Sequence, residues 1–137
     1  SSQFDYVIFD CPPSLGLLTV NGLRASNEVI IPLQPHFFSL QAIEQFMETI
    51  ELISRKLNHK PKVHILFTMV EVRTKLNQEV MNEIKKHFGD VVFKTIIRKN
   101  ISISEAASYG QPVIDYDPRS TGARGYTSLT KEVIKGG

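Results

Sequence analysis

The sequence predicts an α/β protein built on a parallel sheet with helices on both faces. Three observations carry this. Short apolar runs alternate with longer amphipathic stretches along the chain. The runs are continuous, as in strands buried on both sides, and do not alternate polar with apolar. The 137 residues are 42% hydrophobic and 22% charged, enough for one domain with a real core.

Residues 6–9 (Tyr6, Val7, Ile8, Phe9) form the first apolar run and predict a buried strand. After Pro12, Pro13 and Ser14, residues 15–25 predict a helix. Residues 28–31 predict a second strand, stopped by Pro32. Residues 41–57 give the clearest helical spacing. Ile43, Phe46, Met47, Ile50, Ile53 and Leu57 share one face, and Glu44, Glu48 and Glu51 the other. Residues 63–67 predict a third strand. A helix over 76–88 follows, with Leu76, Val80, Ile84 and Phe88 on one stripe and Gly89 as its stop. Residues 91–97 predict a fourth strand, and 103–109 a short helix. Val113 and Ile114 predict a short edge strand. A last helix over 121–134 turns Ala123, Tyr126, Leu129 and Val133 inward.

Composition narrows the function classes. Sixteen basic and fourteen acidic residues leave a net charge of +2, so any basic patch must be local. Cys11 is the one cysteine. It can form no internal disulfide, and a reducing cytoplasm is the simplest reading. No apolar run approaches the roughly 18 residues of a membrane span. Ser1-Ser2-Gln3-Phe4 does not read as a signal peptide or as a natural start. His36, His59, His64 and His87 lack metal-ligand spacing.

In parallel sheets ligands bind beyond the carboxyl ends of the strands. Asp10 emerges at such an end. A carboxylate there suits a magnesium ion held directly or through water, and equally suits a cap on the turn before Pro12. Spacing alone does not separate the two. Pro12, Pro13 and Ser14 stiffen the following loop, and Gly16 permits a close approach. Cys11 has no neighbouring base and reads as a packed structural residue. Met47, Met69 and Met81 read as core or near-core fillers. Between residues 85 and 104, Lys85, Lys86, Lys94, Arg98 and Lys99 face one acid, Asp90. That local excess fits either phosphate-backbone contacts or a solvated surface.

The run Phe4-Asp5-Tyr6-Val7-Ile8-Phe9-Asp10-Cys11-Pro12-Pro13-Ser14-Leu15-Gly16 resembles the ParA/Soj family of partition ATPases. The likeness continues through Leu17-Leu18-Thr19-Val20-Asn21. It recurs at Ile31-Pro32-Leu33-Gln34-Pro35, at Thr68-Met69 with Arg73-Thr74, and at Ser104-Glu105-Ala106. It ends at Asp115-Tyr116-Asp117-Pro118-Arg119-Ser120 with Gly122. The matches keep their order over essentially the whole chain. The related MinD proteins usually carry a different loop after the aspartate and a terminal membrane helix, for which residues 131–137 are too short. Departures also exist. The family's I-P-R-N-x-R-L-S-E-A-P-S-H-G stands here as Ile97 to Gly110, with Ser102 replacing the second arginine and Arg98 replacing proline.

The resemblance implies a Rossmann-like P-loop NTPase fold, of which this chain is the C-terminal half as a single domain, 1–137. No G-x-x-x-x-G-K-[ST] occurs, so the P-loop strand and helix are missing. It implies Mg²⁺ and ATP as cofactors and a homodimer formed on ATP binding. Non-specific DNA and a ParB-like protein are the implied partners, and the location is cytoplasmic and nucleoid-associated, with no membrane. Asp10 matches the family's catalytic Walker B acid, and Pro12, Pro13 and Ser14 its switch. Thr68, Met69, Ile97, Arg98 and Asn100 match nucleotide-binding positions. Lys85, Lys86, Lys94, Arg98 and Lys99 are the implied DNA contacts. This chain alone is expected to be inactive as an ATPase. The alternative is a naturally short interaction module that binds partition partners without hydrolysis. A receiver domain phosphorylated on Asp10 is disfavoured, since only Asp5 lies upstream as an acidic partner.

Overall fold

The computed structural model of the chain describes residues 3–136. Its centre is a parallel pair of strands, β1 (Glu28–Leu33) and β2 (Lys62–Phe67), in register from Glu28 opposite Lys62 to Leu33 opposite Phe67. Their connection is a long crossover through α2 (Ser39–Leu57), as parallel pairing requires. Pro32 lies inside β1, opposite Leu66, and does not stop the strand. A proline costs no ladder bond where its missing N–H would face away from the neighbour, as on an edge strand.

The remaining helices are α1 (Leu17–Ala25), α3 (Lys75–Phe88), α4 (Ile101–Ser108), α5 (Val113–Tyr116) and α6 (Thr121–Ile134). Side chains alternate across β2 with the strand period of two. Ile65 and Phe67 join Ile31, Ile43, Ile50, Met81 and Ile84 in a core beneath α2 and α3. Leu66 points the other way and packs with Phe93, Ile97, Ile103, Leu129 and Val133, beneath α4 and α6. Helices thus cover both faces, as the apolar strand pattern implied.

Three predicted strands differ. Residues 6–9 form no strand, and their side chains are exposed. A strand is stable only where neighbours take up its backbone groups; for 6–9 the described residues supply no such neighbour. Residues 91–97 do not form a regular strand either. They run parallel to β2 through two isolated bridges, Val92 to Ile65 and Arg98 to Val70. Phe93 N–H donates to Ile65 O and Ile97 N–H to Phe67 O, so four residues advance where a regular ladder advances two. The amides between them, Lys94 and Thr95, donate instead to the carboxylate of Glu132 at 2.8 and 2.9 Å.

Val113 and Ile114 start a helical turn, α5, rather than an edge strand. Pro112 at its N-cap has φ −65°, preset for a helix start, and accepts from the amides of Asp115 and Tyr116. Gly89 is no left-handed stop. It is right-handed, with φ −49°, and opens a short 3₁₀ turn, Gly89–Val91. On α3, Asn77, Met81 and Ile84 are buried and Val80 and Phe88 pack against the core as expected, while Leu76 lies outside. Tyr126 is exposed as well. Met69 and Cys11 are also exposed, against their expected packing.

Candidate functional site

The carboxyl ends of β1, β2 and the 92–98 segment meet at one edge of the sheet. Three hydrogen bonds lace them. Thr68 N–H donates to Leu33 O at 3.0 Å, Val70 N–H to Ile97 O at 3.1 Å, and Lys99 N–H to Val70 O at 3.0 Å. The loop 34–38 is drawn in by two buried polar side chains. Ser39 Oγ donates to Gln34 O and accepts from His36 N–H. Asn77 Nδ2 donates to Pro35 O at 3.0 Å while its Oδ1 accepts from Glu71 N–H at 2.9 Å. Sequence reasoning missed Asn77. Its signal was a polar residue on the helical stripe shared with Met81 and Ile84.

Four of the candidate nucleotide residues, Thr68, Met69, Ile97 and Arg98, sit at this edge, and Asn100 follows them. Ile97 is buried, whereas Met69 and Arg98 project outward. Met69 has φ +50°, in the left-handed region that a non-glycine residue enters at a cost of order 1 kcal/mol. The bonds of Thr68 and Val70 on either side hold it there. Asn100 Oδ1 is buried and has no hydrogen-bond partner among the described residues. An acceptor left in that state costs about 1–3 kcal/mol. Strain and an unmet acceptor therefore lie close together at one end of the sheet.

Glu71 and Lys99 close this edge with an ion pair of 3.0 Å. The hydrogen bond from Lys99, its charge, and a further bond from Thr74 hold the Glu71 carboxyl below its usual range. Lys99, a candidate DNA contact, is thus engaged within the chain. Of the five basic candidates, two are in ion pairs within the chain. Lys86 pairs with Glu83 at 3.2 Å. Lys85 and Lys94 line one shallow depression with Gly89, Val92 and Phe93. Arg98 follows the irregular stretch 93–97, which spans only two residues of β2.

Asp10 is exposed, in the irregular segment before α1. Pro12, Pro13 and Ser14 are exposed too. This segment is moored to α1 by Thr19 Oγ1, which donates to Ser14 O at 2.6 Å. Cys11 Sγ sits over Gly22, where a Cβ would meet it at 3.1 Å. Among the described residues no hydrogen bond or ion pair links Asp10 to Thr68, Met69, Ile97, Arg98 or Asn100. Nor does any group of three His, Cys, Asp or Glu side chains there suit a metal ion. One exposed carboxylate still fits Mg²⁺, which keeps most of its waters and takes one or two protein carboxylates beside phosphate oxygens.

Comparison with known proteins places these features in a family context. A family model described as an AAA domain matches residues 1–65. The Bacillus subtilis sporulation initiation inhibitor protein Soj is 47% identical over 136 residues, covering 98% of this chain and 54% of that protein. The chromosome-partitioning ATPase Soj of Treponema pallidum is 46% identical, with 96% and 52% covered. The chromosome partitioning protein ParA of Caulobacter vibrioides is 41% identical, with 98% and 51% covered. The chain thus spans about half the length of these relatives. In structure it resembles the cell division ATPase MinD of Pyrococcus furiosus, with a TM-score of 0.74 at 19% identity, over 96% of this chain and 52% of MinD. That likeness speaks for the fold alone, an α/β fold of the P-loop ATPase type.

Proposed function

We propose a role in chromosome or plasmid partition for this chain, which belongs over nearly its whole length with the Soj and ParA chromosome-partitioning ATPases. The observation that carries the proposal is the 47% identity sustained over 136 residues. Residues 1–137 act as the C-terminal half of one ATPase domain. Joined to the rest of a protein of its relatives' length, they form part of an ATP-dependent dimer. That dimer binds DNA without sequence preference and is stimulated by a ParB-like partner, on the nucleoid.

Within that protein Asp10 orients the Mg²⁺ ion through water, and Pro12, Pro13 and Ser14 form the loop that senses the nucleotide. Thr68, Met69, Ile97, Arg98 and Asn100 receive the nucleotide at the carboxyl edge, which the unmet acceptor of Asn100 and the strained Met69 support. Lys85, Lys86, Lys94, Arg98 and Lys99 meet DNA phosphates. When bound, Mg-ATP supplies the phosphoryl group and the metal's charge. The residues named here bind and orient it.

Asp10→Ala tests the assignment in the full-length protein. We expect ATP turnover to fall roughly a hundredfold or more, the usual scale for losing a residue that positions the reacting water. Folding should be unaffected, since Asp10 is exposed. Unchanged turnover would remove Asp10 from the catalytic role.

A further inference from the structure

We propose that the C-terminal half of α6 is held on the sheet by an acid-released latch, with His64 as its trigger and Glu132 as its catch. His64 lies on β2 on the same face as Leu66, and only 4% of it is exposed. Its ring stacks on Phe93, with centroids 4.6 Å apart and planes 13° from parallel. Its Nε2 is buried and makes no hydrogen bond. Glu28 Oε2, one strand away, stands 3.6 Å off, beyond hydrogen-bond reach.

Phe93 is the link between trigger and catch. It shares a buried cluster with Leu66 and Ile97, and Leu129 and Val133 of α6 pack against that cluster. The next two amides, Lys94 and Thr95, are those gripped by Glu132 of α6. Lys62 Nζ donates to Gly136 O, fastening the residues beyond the helix. In the proposed latch, the last turns of α6 follow Phe93 when its stack with His64 is lost.

The charged groups facing His64 are Glu28 on β1, Lys62 on β2 and Glu132 on α6. Burial is the largest influence and pushes the imidazole below its usual 6.5. Glu28 and Glu132 oppose that, and Lys62 adds to it. His64 is consequently neutral at pH 7. A proton placed on it charges a ring that is 4% exposed and whose Nε2 makes no hydrogen bond, with only the Glu28 carboxylate 3.6 Å away to offset the charge. The ring gains water by turning out, and in doing so it leaves Phe93.

The sign follows from linkage. A histidine whose folded pKa is lowered binds fewer protons folded than released, so its contribution is complete above 6.5 and is lost as pH falls below it. Glu132 yields later. Burial works against its charged form, but the Lys94 and Thr95 hydrogen bonds outweigh burial and hold it below 4.5. Its contribution is present above 4.5 and lost only as pH falls further. Any release between those two values belongs to His64.

Amide hydrogen exchange on the full chain tests the latch, corrected for the intrinsic pH dependence of exchange. Below 6.5, the open population read at Lys94 and Thr95 should rise with falling pH, by at most about tenfold per pH unit, the limiting slope of one proton. The amides of the β1–β2 ladder should not follow. His64→Phe keeps a stacking ring without a titrating group, and in it the response should be flat. Equal loss of protection in His64→Phe, or none in the wild type, would overturn the proposal. So would a His64 ring that titrates at or above 6.5 by its own NMR shifts. That last reading needs only the wild-type chain and decides the matter even where His64→Phe does not fold.

Discussion

Two segments of this chain carry nearly the same apolar pattern and end in opposite states. Residues 62–67 form β2, where Ile65 and Phe67 are fully buried. Residues 6–9 are as apolar, yet Ile8 is 90% exposed and no strand forms. The difference is not propensity. β2 has β1 on one side, the 92–98 segment on the other, and helices on both faces. Residues 6–9 have no such frame among the described residues. An apolar run is a request for neighbours, and only the tertiary arrangement answers it.

The largest expected effect breaks or upholds this contrast directly. Phe67→Ala should cost about 3–5 kcal/mol, because it empties a fully buried aromatic site. Ile8→Ala should change stability by no more than about 0.5 kcal/mol. Urea unfolding of both variants decides. A comparable loss at Ile8 would mean that residues 6–9 are packed in solution, and the contrast would fail.

Glycines sharpen it at the next level. A Cβ on Gly122 would lie 2.6 Å from Ile103 Cγ1 and 3.2 Å from Asn100 Oδ1. Gly122→Ala should cost about 1–3 kcal/mol as overpacking at the α4–α6 contact. In the N-terminal segment, a Cβ on Gly16 meets only Ser14 Oγ at 3.8 Å, and its φ of −77° suits any residue. Thermal melting of Gly16→Ala should show a change within about 0.5 kcal/mol. A large loss there would place a neighbour against Gly16.

The smallest effect concerns helix starts. Ser120 caps α6, its Oγ accepting from Ala123 N–H at 3.1 Å. Ser120→Ala should cost about 1 kcal/mol, read from the urea midpoint at constant slope. No side chain caps α1 at Gly16, so the N-terminal region has no such bond to lose. An unaffected midpoint would show that tertiary contacts alone hold the start of α6.

Much of the fold was legible. The spacing of Ile43, Ile50 and their neighbours placed α2 to within two residues of its observed start, and α6 fell on 121–134 as expected. Asp10 and the Arg98-Lys99-Asn100 segment stand as candidates on their positions after apolar runs alone. Glu132 does not, because its partners lie 37 and 38 residues away in the chain and no local pattern records such a distance. Asn77 was overlooked because its neighbour Leu76 is apolar and fits the stripe almost as well.

By itself the sequence determined the order of the five longer helices, the strands at 28–31 and 63–67, and the family. Helical order follows from periodicity within a few turns, which is local information. Only the tertiary structure decided that residues 6–9 stay unpaired, that 113–116 wind into a turn, and that the 92–98 segment gives two amides to Glu132. Each of those outcomes depends on which backbone groups find partners far along the chain, and an unpaired donor or acceptor has no preference the sequence can display.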